Sequence, residues 1–84
     1  MQFVYCLFSP STKKTYIGQT SNLQGRLSAH NHTSNKGFTQ KYQPWILIYS
    51  EEYPTVQEAN KRELYLKTGV GRDFIKKIIE EFVQ

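Results

Sequence analysis

Five side chains spread along this chain could together handle a phosphate ester: Tyr5, Tyr16, Arg26, His30 and Glu63. Hydrolysing a phosphodiester takes a positioned water, a group to accept its proton, positive charge for the crowded phosphate and, commonly, a hard cation. A guanidinium cannot act as a base at neutral pH, but its planar donors match phosphate oxygens and stabilise charge that builds on them. Glu63 offers an ionised oxygen, the ligand type suited to Mg²⁺ or Mn²⁺. Tyr5, Tyr16 and His30 are left to orient and deprotonate water, although a phenol with an ordinary pKa near ~10 needs neighbouring positive charge to do so. Each residue also has a plainer reading. Tyr5 and Tyr16 suit a cross-strand pair, Arg26 and His30 a solvated helix edge, and Glu63 a surface ion pair, since Asn60 and Lys67 fall near it in helical projection.

The elements that must position these groups are legible in outline. Phe3 to Phe8 is aromatic and β-branched, Ser9-Pro10-Ser11-Thr12 breaks it, and Thr15-Tyr16-Ile17 resumes it, which reads as a β-hairpin. Alternation puts Phe3, Tyr5 and Leu7 on one face and Val4, Cys6 and Phe8 on the other. Gly18 ends the second strand, and Thr20-Ser21-Asn22 supplies cap residues for a helix from about Leu23 to Asn31. Within it Leu23 and Leu27 face the sheet, and Arg26 and His30, four apart, form an adjoining polar stripe. Trp45-Ile46-Leu47-Ile48-Tyr49 reads as a third strand, apolar on both faces and therefore central or covered on each side, with Glu51-Glu52 at its exit. Thr55 and Glu58 form a capping-box pattern for a second helix running to about Lys67, with Gly69 as its C-terminal cap and Gly71 allowing another turn. Phe74, Ile75, Ile78, Ile79 and Phe82 make the apolar stripe of a last amphipathic helix.

Eighty-four residues fit one domain with a modest core, to which six tyrosines, five phenylalanines and one tryptophan bring much of the apolar area. Eleven Lys and Arg against seven Asp and Glu leave a formal charge of +4, which favours a polyanionic partner moderately. His32 to Pro44 is a long polar stretch in which Lys36 and Lys41 alternate with Phe38 and Tyr42. Such residues either stack on and neutralise nucleic acid or pin the loop to the core. Arg72 is a further candidate phosphate contact. Cys6 is the only cysteine, so no intrachain disulfide forms and a metal site built on thiolates is not expected. No apolar run is long enough for a membrane span, no signal region precedes the first strand, and a cytoplasmic protein is expected.

Tyr5, the tripeptide Tyr16-Ile17-Gly18, Asn22-Leu23 with Arg26-Leu27 and His30, and then Glu63 follow in an order that resembles the GIY-YIG nuclease family. Thr39-Gln40-Lys41-Tyr42-Gln43-Pro44-Trp45 and the segment from Arg62 to Arg72 resemble its small stand-alone bacterial members, so the likeness spans nearly the whole chain. The tripeptide alone is weak; the ordered set is specific. The first half of the signature departs from the family: Phe3 and Val4 stand where it has glycine and isoleucine, and no asparagine follows Glu63.

The resemblance implies an α/β (α+β) fold, a small three-stranded antiparallel sheet flanked by about three helices in the order β-β-α-β-α-α. It implies a metal-dependent endonuclease acting on DNA, including branched or repair-related DNA, with one divalent cation, Mg²⁺ or Mn²⁺, on Glu63 and Tyr5 as general base. Specificity would come from shape, from a partner protein or from a homodimer, because phosphate contacts carry no sequence information. The competing expectation is a non-catalytic nucleic-acid-binding module that keeps the basic surface and loses nothing when Glu63 is removed.

Overall fold

The computed structural model describes residues 1–31 and 43–83. Within them the elements are β1 (Gln2–Ser9), β2 (Lys14–Thr20), α1 (Leu23–Asn31), β3 (Ile46–Tyr53), α2 (Val56–Leu66) and α3 (Gly69–Phe82). The expected order β-β-α-β-α-α is therefore observed, and the strands form one antiparallel sheet in the order β2-β1-β3. Lys36 and Lys41, with the aromatics between them, lie outside the described residues.

β1 is the central strand, and its period-two alternation divides the core into two layers. Val4 and Cys6 pack with Ala59 and Leu66 of α2 and Ile75 of α3. Tyr5 and Leu7 face the other way and join Trp45, flanked by Tyr16, Leu47 and the two leucines of α1. Helices α2 and α3 thus cover one face and α1 the other. The apolar run beginning at Trp45 does not mark a central strand, as β3 lies at an edge of the sheet. Its side chains are apolar in both directions because both faces are covered, which an edge strand also experiences. A bulge contributes: Cys6 pairs with Tyr49 but Leu7 with Leu47, so Ile48 and Tyr49 both turn toward the α2/α3 layer.

The strand also continues past Tyr49 to Tyr53, so the acidic pair lies inside it rather than at its exit. Glu51 is held there by Arg62 of α2 in a two-pronged contact, Nε to Oε1 and Nη2 to Oε2, each 2.9 Å. The hydroxyls of Tyr49 and Tyr53 donate to the same carboxylate. Burial disfavours the charged carboxylate, but these donors outweigh it and hold the Glu51 pKa below the ordinary value. The Arg62 guanidinium in turn lies over the rings of Tyr65 and Phe74, at 5.0 and 5.4 Å. Glu51→Gln should cost about 2 kcal/mol, the scale of hydrogen bonds to a charged group. In a domain of this size that lowers Tm by roughly 8–16 °C, measurable by thermal unfolding at neutral pH.

Gly69 is not a C-terminal cap. Helix α2 ends at Lys67 in a right-handed conformation, and Gly69 opens α3 behind Thr68, whose hydroxyl accepts from the Gly71 amide at 3.3 Å. Gly71 is needed for proximity rather than for a turn, because a Cβ there would overlap the backbone of Tyr65 and Leu66.

Candidate active site

β1 and β2 place Tyr5 directly across from Gly18, and this register creates the space the phenol occupies. A Cβ on Gly18 would stand 2.7 Å from the Tyr5 hydroxyl oxygen, 2.9 Å from its Cζ and 3.0 Å from a carbon of the Tyr16 ring. The glycine of the tripeptide is therefore a seat for two aromatic rings. Gly18→Ala should displace the phenol and cost about 1–3 kcal/mol, as overpacking does, read from urea denaturation at constant m.

Helix α1 delivers His30 to that phenol. Asn22 starts the helix, its side-chain oxygen accepting from the Gly25 amide at 3.1 Å. At the other end the Asn31 side chain accepts from the Trp45 amide at 2.6 Å and donates to its carbonyl at 3.0 Å, while Gln43 donates to the His30 carbonyl at 2.7 Å. With both ends fixed, His30 Nε2 lies 3.1 Å from the Tyr5 hydroxyl oxygen, and its ring centroid is 4.6 Å from that of Tyr16. The Tyr5 and Tyr16 rings are stacked at 6.2 Å, so the three residues form one cluster.

His30 is buried, 5% exposed, whereas Arg26 on the same helix is exposed, so the expected polar stripe divides into an inward imidazole and an outward guanidinium. Burial lowers the His30 pKa, and the Arg26 charge lowers it further. The imidazole is neutral at pH 7. Burial also pushes the Tyr5 pKa up to about 12; Tyr16 adds to the rise, Arg26 opposes it, and Glu63 adds a smaller amount. The positive charge expected to ease phenolate formation is present but is outweighed by desolvation. Tyr5 is thus a neutral phenol beside a neutral imidazole, and a proton leaving the phenol would rest on His30 as an imidazolium.

The His30 shift has a stability consequence. The folded pKa lies below the unfolded value near ~6.5, so in the intervening window the unfolded chain binds the extra proton and stability falls as pH drops. Thermal unfolding should lose Tm on acidification from about pH 6.5, before the Glu51 carboxyl titrates, and His30→Gln should flatten that slope.

Glu63 approaches from α2. Its Oε1 accepts from the Gln19 side chain at 3.1 Å, and its Oε2 meets Lys67 Nζ at 2.8 Å. Gln19 donates to Asn60 as well, and its own oxygen accepts from Gln2 at 3.0 Å. The plain expectation of a Glu63–Lys67 ion pair is therefore met within a larger amide network. No asparagine follows Glu63, but Asn60 stands one helical turn before it and shares its donor. Gln19 was not singled out from the sequence, although it shares a strand face with Ile17, which packs on the α2/α3 core. Arg72 stands at the first turn of α3.

The sequence profile of the GIY-YIG catalytic domain matches residues 1–77. The chain belongs to the GIY-YIG family. Its relatives include a UPF0213 protein of Staphylococcus aureus, 35% identical over 78 residues that cover 93% of this chain and 94% of the relative. A second, from Staphylococcus haemolyticus, is 35% identical over 66 residues, 79% of each chain. A third, from Clostridium perfringens, is 36% identical over 67 residues, 80% of this chain and 71% of the relative. No solved structure matches the chain significantly. Membership in the GIY-YIG family makes this a protein of a nuclease class. No helix among the described residues is long and apolar enough to cross a membrane.

Proposed function

We propose that this GIY-YIG protein is a divalent-cation-dependent endonuclease that hydrolyses DNA phosphodiesters. The observation that carries the reading is the Tyr5 phenol, hydrogen-bonded to His30, stacked on Tyr16 and within electrostatic reach of both Arg26 and Glu63. Tyr5 accepts a proton from the attacking water as its own hydroxyl proton passes to His30 Nε2, which becomes an imidazolium, so no free phenolate is needed at neutral pH. Tyr16 walls the site and orients the water or a phosphate oxygen. Arg26, exposed beside the cluster, meets the phosphate oxygens on which negative charge builds.

The donors around Glu63 fit a hard cation. They are a half-buried carboxylate and the neighbouring amide oxygen of Asn60, all oxygen ligands. Among the described residues no three His, Cys, Asp or Glu side chains cluster, so a cation on Glu63 would draw most of its shell from water and substrate phosphate. Mg²⁺ commonly takes one or two protein carboxylates and completes its shell with water and substrate phosphate. When bound it would polarise the phosphoryl group and favour ionisation of water.

The test incubates the purified chain with plasmid, flap and junction DNA in Mg²⁺, Mn²⁺ or EDTA. New ends should appear only with a cation. Salt-sensitive binding without cleavage on every substrate would replace this reading with that of a nucleic-acid-binding module. Comparison of nicked with linear plasmid products reports whether two copies act together on both strands.

A further inference from the structure

A cleft of about 530 Å³ opens between the outer edge of β2 and helix α3, beside the catalytic cluster rather than within it. Its floor is apolar, built from Ile17, Leu66 and Ile75. Its remaining lining includes Lys67, Arg72 and Lys76, all exposed, and no carboxylate. Two residues belong to both places. Tyr16 lines the cleft and stacks on Tyr5, and Lys67 lines it and pairs with Glu63.

From this arrangement we infer that the cleft is a nucleotide subsite, which seats the nucleotide adjoining the scissile phosphate with its base on the apolar floor and its phosphate against Lys67, Arg72 and Lys76. The volume lies within the roughly 300–1,000 Å³ of small-molecule sites. Arg72 and Lys76 line the cleft with no carboxylate among its lining residues, and Lys67, shared with Glu63, adds a third cation at its rim, a set that favours an anion. The apolar lining beside them distinguishes a nucleotide from a bare phosphate, because bases gain from leaving water for apolar and aromatic surface. The continuity through Tyr16 and Lys67 makes the occupant part of the same strand that enters the catalytic cluster. The inference rests on the nuclease reading for the identity of that strand, but the cleft itself can be probed without catalysis.

The probe is thymidine 5′-monophosphate, titrated in EDTA and followed by the methyl resonances of Ile17, Ile75 and Ile79, with thymidine and inorganic phosphate as controls. The monophosphate should shift those methyls and bind at least about tenfold more tightly than either control, since phosphate and base each contribute. Arg72→Ala with Lys76→Ala, both changes at exposed positions outside the catalytic cluster, should weaken it by about tenfold or more. Inorganic phosphate binding as tightly as the nucleotide would overturn the base contact, and thymidine doing so would overturn the phosphate contact. Shifts confined to the Tyr5 and His30 face, or affinity unchanged in the double variant, would overturn the site. A chain that cleaves DNA yet fails these measurements loses the cleft and keeps the nuclease. One that binds the nucleotide here and cleaves nothing keeps the cleft and loses the nuclease.

Discussion

Arg26→Ala should reduce DNA cleavage by about 10²–10³-fold, the loss seen when a preorganised donor to a developing oxyanion is removed. The fold should hardly notice. Arg26 is exposed on α1, and surface substitutions of this kind stay within about 0.5 kcal/mol. Its side chain makes no hydrogen bond or ion pair among the described residues. A second readout separates its electrostatic role from a general disturbance. The Arg26 charge lowers the pKa values of both His30 and Tyr5, so the substitution should raise both. NMR titration of the imidazole should move toward the ordinary histidine value while the structure is kept. Arg26→Lys should restore the titration, because the charge returns, but only part of the rate, because an ammonium lacks the planar fork. Equal loss of stability and cleavage in Arg26→Ala would contradict the assignment.

The parts of this site that were legible in the sequence are those governed by local geometry. Alternation along β1 separates Tyr5 from Cys6, and a capping side chain with two leucines four apart fixes where α1 begins and which way it faces. The burial of His30 was also within reach, because Leu23, Leu27 and His30 fall at i, i+4 and i+7 and continue one stripe. Reading His30 with Arg26 instead, at i and i+4, hid it. What could not be read depends on contacts between distant elements. The Glu51–Arg62 clamp joins a strand to a helix across eleven positions, and nothing local announces it. The edge position of β3 escaped because an apolar run reports coverage of two faces, not the number of neighbouring strands. Gly69 escaped because a glycine between two close helices serves either the end of one or the start of the next, and the Thr68 hydroxyl settled the choice.

The position of Gly18 shows how one residue type can be fixed by a neighbour in space. Its backbone needs no left-handed conformation; what excludes a side chain is the Tyr5 ring lying across it. The same ring is buried enough to keep its proton and is bonded to an imidazole kept neutral by burial. The apolar packing that stabilises this layer therefore also sets the protonation state in which the site waits for substrate.

Glu63→Gln should abolish cation-supported cleavage by at least about 10³-fold, the several kcal/mol that a Lewis acid contributes to a phosphoryl transition state. The substitution keeps the shape of the side chain, and an amide oxygen can still accept from Gln19. The ion pair with Lys67 is lost, but that lysine is half exposed, and such surface pairs are worth about 0–1 kcal/mol. Stability should therefore change little while Mn²⁺ binding, followed by electron paramagnetic resonance without DNA, falls sharply. The variant also carries an internal control: Glu63 makes the smallest contribution to the raised Tyr5 pKa, so its neutralisation should lower that pKa slightly, followed at the Tyr5 ring resonance in a phenol titration by NMR. A folded Glu63→Gln protein in which the phenol titration shifts but Mn²⁺ binding and cleavage persist would remove the cation from Glu63, leaving its charge to act on Tyr5 alone. Loss of Mn²⁺ binding together with cleavage, on a fold that unfolds at the wild-type temperature, would tie the carboxylate to the cation and the cation to the reaction.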